Sequence, residues 1–206
     1  MFSAVVPLVE ERKGILAETA GLVACAISQV IQDTAFEQVP LTFRGAIATG
    51  KCMIDADNNI FIGPAVAMAA ALMEKANGAF ILLTKEAAEL VENPAKPSEN
   101  AEQDYPRWKH DEFWPDLFVD YLVPMNDGTE YSTKVVNPFV NLSHQTEKFK
   151  QIRLNYRKAM TSDSSDVQKK CRNTEALFDR FEELSRVHWE TKALAEDLRM
   201  NHAHKA

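Results

Sequence analysis

The chain has 206 residues, of which 46% are hydrophobic and 26% charged, so it can bury one sizeable core. Its net charge of −7 argues against a nucleic-acid surface, because such a surface needs a basic face. No apolar run approaches the roughly 20 residues of a membrane helix, and no basic segment precedes the first apolar residues. We therefore expect a cytoplasmic protein that carries no membrane anchor and no signal peptide.

The first predicted elements are a short buried strand at Phe2–Leu8 and an amphipathic helix at Gly14–Ile31. Ser28 and Gln29 are expected to face solvent on this helix. Its buried side is predicted from the apolar residues that recur at helical spacing, namely Leu16, Leu22, Val23, Ala26, Ile27 and Val30.

A strand–turn–strand unit follows. Leu41–Ile54 is rich in β-branched and aromatic residues and predicts a strand. Asp55–Asn59 supplies residues that tolerate the backbone angles of a turn, and Ile60–Ile62 resumes the strand. Asp55 and Asp57 are therefore interpreted as turn residues rather than metal ligands.

A helix is predicted next, over Ala65–Ala76, because Gly63 and Pro64 are typical of a helix start. Within it, Ala67–Ala71 predicts either a close helix–sheet contact or a seam between helices. Gly78 is expected to end the helix as a left-handed cap. A strand at Gly78–Thr84 and a short helix at Lys85–Val91 complete this region.

The remaining chain divides at a proline-rich stretch, Asn93–Phe113, which predicts a linker. Two strands follow, joined by the strong turn signal Asn126–Gly128. The last two helices form either a dimerisation arm or a pair folded back on the domain. These strands and helices are predicted at Leu117–Val123, Tyr131–Phe139, Ser143–Met160 and Asp166–Arg199.

The predicted organisation is thus an α/β core at residues 1–92, a linker at 93–115, a β-hairpin that completes or flanks the sheet at 116–140, and a helical pair at 141–206. Three isolated cysteines, Cys25, Cys52 and Cys171, form no paired motif. They predict buried free thiols rather than disulfides or a zinc site.

Two motifs in the core segment suggest a family. Phe43–Gly50 fits an Arg-x-Gly-Ile-x-x-Gly pattern through Arg44, Ile47 and Gly50, with Ala46 in place of the first glycine. Ile62–Ala69 fits a Gly-x-x-Val-Asn-x-Ala pattern through Gly63, Val66 and Ala69. Over residues 1–90 the chain resembles class III adenylate and guanylate cyclases of a divergent bacterial branch, distantly related to pyrimidine cyclases.

The resemblance implies an α/β (α+β) fold, with a ferredoxin-like sheet covered by helices on one face and a C-terminal helical extension. It also implies where the nucleotide-binding groups should lie. The ribose-orienting Asn and the charge-stabilising Arg of the family fall on Ala67 and Ala71, and the base-reading Asp falls on Ile60. Because an alanine methyl cannot neutralise a developing charge, these replacements predict a domain without catalytic residues.

The metal-binding carboxylates of the family are also not found. The first would lie on a strand upstream of Met1, and the position of the second falls on Ala4. No metal site is predicted, and Mg²⁺ or Mn²⁺ would be expected only if the domain were an active cyclase. Either the natural start lies upstream, or the domain has lost its catalytic half.

Two basic residues are candidates for binding an anion. Arg44 either pairs with an acidic group on the sheet or binds an anionic ligand, and it is the one weak candidate for a nucleotide contact. Gly45–Lys51 matches part of a phosphate loop, but Cys52 replaces its final Ser or Thr. The stretch also continues into a hairpin and not into a helix, so we interpret Lys51 as a solvated or sheet-edge residue.

The first functional hypothesis is a non-catalytic, cyclase-like domain that acts through homodimerisation or contact with another protein. The alternative is a divergent nucleotidyl cyclase, possibly specific for a pyrimidine nucleotide, whose metal-binding strand is missing from this chain. A third hypothesis is a module that binds a nucleotide without turnover.

Overall fold

The structure, a computed structural model, describes residues 13–34, 44–55, 57–58, 60–92, 117–140, 147–159, 161 and 164–203. The predicted strand Phe2–Leu8 and the predicted linker at Asn93–Phe113 lie outside these residues. The helices are α1 (Lys13–Thr34), α2 (Pro64–Lys75), α3 (Lys85–Glu92), α4 (Glu147–Ala159) and α5 (Ser165–Ala203). The strands are β1 (Gly45–Ile47), β2 (Met53–Asp55), β3 (Ile60–Ile62), β4 (Ile81–Leu83), β5 (Phe118–Pro124) and β6 (Glu130–Val136).

These elements form a mixed four-stranded sheet in the order β1-β4-β6-β5 and a separate two-stranded sheet of β2 and β3. In the larger sheet β1 and β4 are parallel, and the other two pairs are antiparallel. The predicted α+β fold is confirmed. The β5–β6 hairpin completes the sheet because Val135 lies opposite Leu82 of β4. Its turn is the predicted one, and Gly128 adopts a φ of 85° there.

Helices cover both faces of the four-stranded sheet, and not only the one face that was expected from the resemblance. Alternate side chains of a strand point to opposite sides, so each face has apolar residues to bury. On one face Ile81, Leu83 and Val136 form a buried cluster with residues of α1 and α3, including Ala24 and Val91. On the other face Leu82, Val119 and Val135 form a cluster with α4 and α5, whose buried members are Phe149, Ile152, Leu177, Phe178 and Phe181.

The C-terminal helices therefore fold back on the domain as far as Leu184, which packs against the second cluster. The ring of Phe139 lies 5.2 Å from the ring of Phe178 and 5.4 Å from that of Phe149, so it joins α5 to α4 beside the sheet. Polar contacts add to this packing. Thr174 Oγ1 accepts a 2.9 Å hydrogen bond from the Ala79 amide, and Asn173 Nδ2 donates at 2.7 Å to the Asn77 carbonyl.

Helix α1 is present as predicted, but its buried side differs from the prediction. Ala24, Ser28 and Gln32 are buried, whereas Val30 is exposed. The polar groups are satisfied locally: Ser28 Oγ donates to the Ala24 carbonyl at 2.7 Å, and Gln32 Nε2 donates to the Pro138 carbonyl at 2.7 Å. Small residues at Ala24 and Ser28 allow a close approach to the sheet, which the apolar periodicity did not reveal.

The strand predicted over Leu41–Ile54 is divided in two. Between β1 and β2 the chain leaves the extended conformation at Gly50, which has a φ of 146°. A Cβ atom at Gly50 would lie 3.4 Å from the Ala65 side chain, so this stretch packs against the start of α2. The break turns β2 and β3 away from the larger sheet as a hairpin of their own.

Candidate functional site

Exposed apolar side chains lie on both faces of the β2–β3 hairpin and on the outer side of α2. We call this set of positions the hairpin–helix surface, and its residues are Met53, Ile54, Ile60, Ile62, Ala67, Met68, Ala70 and Ala71. It contains the three positions, Ile60, Ala67 and Ala71, at which the cyclase resemblance would require polar groups. Large exposed apolar patches on soluble proteins commonly mark interaction sites.

The hairpin carries large apolar side chains on both of its faces, and Asp55, opposite Ile60, is the one charged residue of its paired strands. Met53 lies opposite Ile62, with Ile60 two residues away on the same side, and these side chains are 61%, 58% and 42% exposed. On the other face Ile54 lies opposite Phe61. In the described part of the chain β2 and β3 pair only with each other. A two-stranded hairpin of this kind is marginally stable in water, so a further layer over the more exposed face would stabilise it.

The turn of the hairpin is held by its own polar residues. Asp55 accepts hydrogen bonds from the Asn58 amide at 3.2 Å and from Asn58 Nδ2 at 2.8 Å. The side-chain bond from Asn58, followed by its backbone bond, lowers the pKa of Asp55, because both favour the ionised carboxylate. Asp55 therefore acts as a turn residue, as the sequence predicted.

Strand β3 runs directly into α2 through Gly63 and Pro64. Proline occupies the first turn of the helix, as predicted. Gly63 is required by a close backbone contact, since a Cβ atom there would lie 2.4 Å from the Lys51 carbonyl oxygen. This contact holds the segment between β1 and β2 against the start of α2, and so sets the position of the hairpin relative to the helix.

The outer side of α2 carries no charge until its last turn. Ala67, Met68, Ala70 and Ala71 are exposed, and only Glu74 and Lys75 at the end are charged. Ala65 is buried, so it is the other side of the helix that contacts the sheet. A helix face towards water is normally polar. The close helix–sheet contact predicted for Ala67–Ala71 is therefore wrong for the three exposed alanines, and a seam with another helix stays a prediction.

Arg44, the candidate nucleotide contact, binds the C-terminal end of α2. Its Nη2 donates to the Met73 carbonyl at 2.6 Å and to the Ala76 carbonyl at 3.3 Å. These carbonyl oxygens, and not an acidic side chain on the sheet, are the partners that the structure shows. The positive charge also suits the negative end of a helix dipole. The predicted contact of Arg44 with a nucleotide stays a prediction.

The same helix end shows why the predicted cap at Gly78 is wrong. Asn126 closes it from the β5–β6 turn, donating its Nδ2 to the Glu74 carbonyl and its amide to the Lys75 carbonyl, both at 2.8 Å. Ala76 follows in an extended conformation. Gly78 does not adopt a positive φ, and it is needed because a Cβ atom there would lie 2.4 Å from the ring of Phe80.

The chemistry available on the hairpin–helix surface is limited to apolar contact, because all of its side chains are aliphatic or thioether. In the described part of the chain no group of three or more His, Cys, Asp and Glu side chains could hold a metal ion. The phosphate-loop-like stretch Gly45–Lys51 connects two strands rather than a strand and a helix, as its context predicted. The position of Ala4 lies outside the described residues.

The three cysteines are free, as predicted, but none of them is buried. Cys25 is exposed, and Cys52 and Cys171 are partly exposed. Cys25 follows the buried Ala24 on α1 and points away from the sheet-facing side. Burial of part of its side chain still raises the pKa of the Cys25 thiol, because desolvation disfavours the thiolate.

No family model matches the sequence, and no curated protein or solved structure matches it significantly. The likeness to nucleotide cyclases therefore depends on the motifs around Arg44 and Gly63 alone. Among the described helices, none combines the length and the apolar character needed to cross a membrane.

Sequence reasoning noted the replaced polar positions but missed the surface that they belong to. A signal was present, because residues 58–73 contain no charged side chain. At the chain average of 26%, a stretch of this length would carry about four. One side of α2 is buried, which explains the absence of charge at only some of these positions. The exposed apolar positions belong to the hairpin–helix surface.

Proposed function

We propose that this chain is a non-catalytic domain, similar in its motifs to nucleotide cyclases, that acts through contact with another protein chain. The observation that carries the proposal is that Ile60, Ala67 and Ala71 are exposed apolar residues on β3 and α2. These are the positions that would hold a nucleotide in a working relative.

Phosphoryl transfer depends on donors and metal ions placed around the phosphates, because the protein contributes mainly positioning and charge stabilisation. Methyl groups at Ala67 and Ala71 offer neither. The loss of one such donor commonly lowers the rate by about two to three orders of magnitude. The same apolar atoms favour a protein partner, since burying them removes apolar area from water.

Arg44 supports the same proposal. Its guanidinium is already used to close the end of α2, through the Met73 and Ala76 carbonyls. A phosphate that recruited Arg44 would have to compete with these bonds. We further propose a cytoplasmic location, because three free cysteines suit a reducing compartment.

The test is an assay of the purified chain with each of the four common nucleoside triphosphates and Mg²⁺ or Mn²⁺. We expect no cyclic nucleotide and no release of pyrophosphate above a heat-treated sample. A thermal-shift measurement under the same conditions should show no stabilisation, whereas binding at 100 times Kd would add about 2.7 kcal/mol.

The cyclase hypothesis predicts the opposite result. Formation of a cyclic nucleotide that is abolished by Arg44→Ala, with the fold retained by circular dichroism, would overturn the proposal. A thermal shift without turnover would instead support the third hypothesis, a module that binds a nucleotide.

A further inference from the structure

We infer that Asn77 and Gly78 form a latent self-modification site, at which the asparagine deamidates when α5 leaves the sheet. The two residues lie between the end of α2 and the start of β4, and both are buried. They form the one Asn-Gly step in the sequence. A glycine after asparagine favours this reaction, because the missing Cβ atom lets the glycine nitrogen approach the asparagine side chain.

The reaction needs only these two residues and water. The backbone nitrogen of Gly78 attacks Cγ of Asn77 and forms a new C–N bond, while the bond from Cγ to the side-chain nitrogen breaks. The proton lost from the Gly78 amide leaves with that nitrogen as ammonia. Water then opens the cyclic imide at either carbonyl, which gives aspartate or isoaspartate. The net change replaces a neutral amide by a carboxylate that is charged at neutral pH.

In the folded chain the backbone is held on both sides of this step. The Asn77 amide donates to the Pro124 carbonyl at 2.9 Å, and the Asn77 carbonyl accepts from Asn173 Nδ2 at 2.7 Å. The Ala79 amide donates to Thr174 Oγ1 at 2.9 Å. Ring closure requires rotation about the bonds of this step, so the three hydrogen bonds oppose it. Burial also excludes the water and base that the reaction needs.

The protection depends on α5. Two of these three hydrogen bonds come from Asn173 and Thr174, which are 96 and 95 positions away from their partners. Elements of a fold open locally at a lower free energy than global unfolding requires. When α5 leaves the sheet, the Asn-Gly step loses both bonds and the cover of the helix. The reaction rate therefore reports how much of the time α5 is detached.

The modification opposes the return of α5. Asn77 is 3% exposed, and its Oδ1 atom accepts no hydrogen bond from the described part of the chain. A carboxylate at this position would therefore bury a charge with too few donors. It would also lie near the negative end of the α2 dipole. Isoaspartate adds a carbon atom to the main chain, which displaces the neighbouring backbone groups from Asn173 and Thr174. An open chain that has reacted is thus kept open.

The experiment is peptide mapping by mass spectrometry of the full chain at mildly alkaline pH, which follows the fraction deamidated at Asn77. We expect the folded protein to react at least about tenfold more slowly than the same chain in urea. Asn173→Ala and Thr174→Val each remove a bond that α5 makes, so they should raise the folded-state rate about threefold or more. Thr191→Val is the matched control, because Thr191 is exposed on the same helix. It should leave the rate unchanged.

Refolding provides a second readout. The unchanged chain is kept in urea until about half of Asn77 has reacted, and the urea is then diluted. Digestion with a protease separates folded from unfolded chains, and we expect the modified chains in the digested fraction. A chain diluted directly after dissolution in urea is the control and should refold in full.

Three results would overturn the inference. The first is a folded chain that deamidates at Asn77 as fast as the chain in urea. The second is a rate in Asn173→Ala and Thr174→Val no higher than in Thr191→Val. The third is a modified chain that refolds as fully as the unmodified one. The first and third tests use the unchanged sequence, so they decide the matter even where a variant does not fold.

Discussion

Arg44 donates its Nη2 group to the carbonyl oxygen of Met73 at 2.6 Å, and this bond joins the residue before β1 to the end of α2. Asn126 closes the same helix end from the β5–β6 turn. The last carbonyls of α2 are thus satisfied by residues distant in sequence, because the helix ends without a glycine cap. The end of α2 therefore joins the residue before β1 to the β5–β6 turn.

Replacement of Arg44 by methionine is expected to destabilise the domain by about 1 kcal/mol, because two helix carbonyls lose a charged donor. Urea unfolding would measure this. Arg44→Lys keeps the charge near the helix end and should recover part of the loss. If both variants matched the unchanged protein, the contact with Met73 would have no role in stability.

Thr174→Val tests the attachment of α5 to the loop before β4. The Thr174 side chain is 1% exposed, and its hydroxyl accepts from the Ala79 amide. Valine has nearly the same shape but leaves that amide without its acceptor, so a loss of about 1–3 kcal/mol is expected. Thermal or urea unfolding would measure it.

The matched control for Thr174 lies on the same helix. Thr191 is exposed, and its hydroxyl donates to the Val187 carbonyl within the helix. Thr191→Val should change stability by less than about 0.5 kcal/mol. Equal effects at the two threonines would contradict the fold-back of α5 on the sheet.

Gly63→Ala tests the contact between the start of α2 and the segment between β1 and β2. The added Cβ atom would lie 2.4 Å from the Lys51 carbonyl oxygen and 2.9 Å from Cys52 Cα, so backbone has to move. We expect a loss of about 1–3 kcal/mol in urea unfolding. Gly45→Ala is the control, because its Cβ would lie 3.8 Å from a side-chain atom of Ile81, an ordinary contact. An equal loss in both variants would contradict this geometry.

Tyr121 should make the fold sensitive to alkaline pH. Burial raises its pKa above the ordinary value of 10.0, and the negative charge of Asp179 raises it further. The unfolded chain then loses this proton at a lower pH than the folded chain. The stabilisation is complete below pH 10.0, and it is lost as the pH rises through the folded-state pKa.

The measurement is the urea midpoint of the unchanged protein and of Tyr121→Phe between about pH 8 and about pH 11. Phenylalanine cannot ionise, so the variant should lose less stability over this range. Tyr131 also has a raised pKa, first through burial and then through the charge of Glu86, so part of the alkaline loss should persist. Parallel curves for the two proteins would contradict the prediction.

Local signals predicted most elements of the fold. Gly63 and Pro64 marked the start of α2, Asn126–Gly128 marked the β5–β6 turn, and the apolar period in the last part of the chain marked α5. Each of these signals involves only a few neighbouring residues, so it can be recognised in a single sequence. The α+β class follows from the order of the elements.

The errors arose where distant residues decide. The end of α2 depends on Arg44 and Asn126, which are 29 and 52 positions from their partners Met73 and Glu74. The split of the predicted strand at Gly50 depends on its contact with Ala65. The buried side of α1 depends on Gln32, whose side chain donates to the Pro138 carbonyl 106 positions away. Periodicity does not report such contacts.

The candidate surface was only partly predictable. The replacement of polar residues at Ala67 and Ala71 was visible, but the exposure of these methyl groups was not, since alanine is common in buried helices. The hairpin was predicted as a strand pair, and its separation from the four-stranded sheet required the structure.

The contacts of Asn173 and Thr174 with Asn77 and Ala79 join positions 95 and 96 residues apart. Strand β4 at the centre of the sheet is therefore covered by a helix that is synthesised long after the strand itself. A nascent chain that stops before Ser165 leaves Leu82 and Val135 without the buried partners that α5 supplies. Completion of the core must therefore wait for the synthesis of α5, and a chain interrupted before that point exposes apolar surface of the kind that favours aggregation.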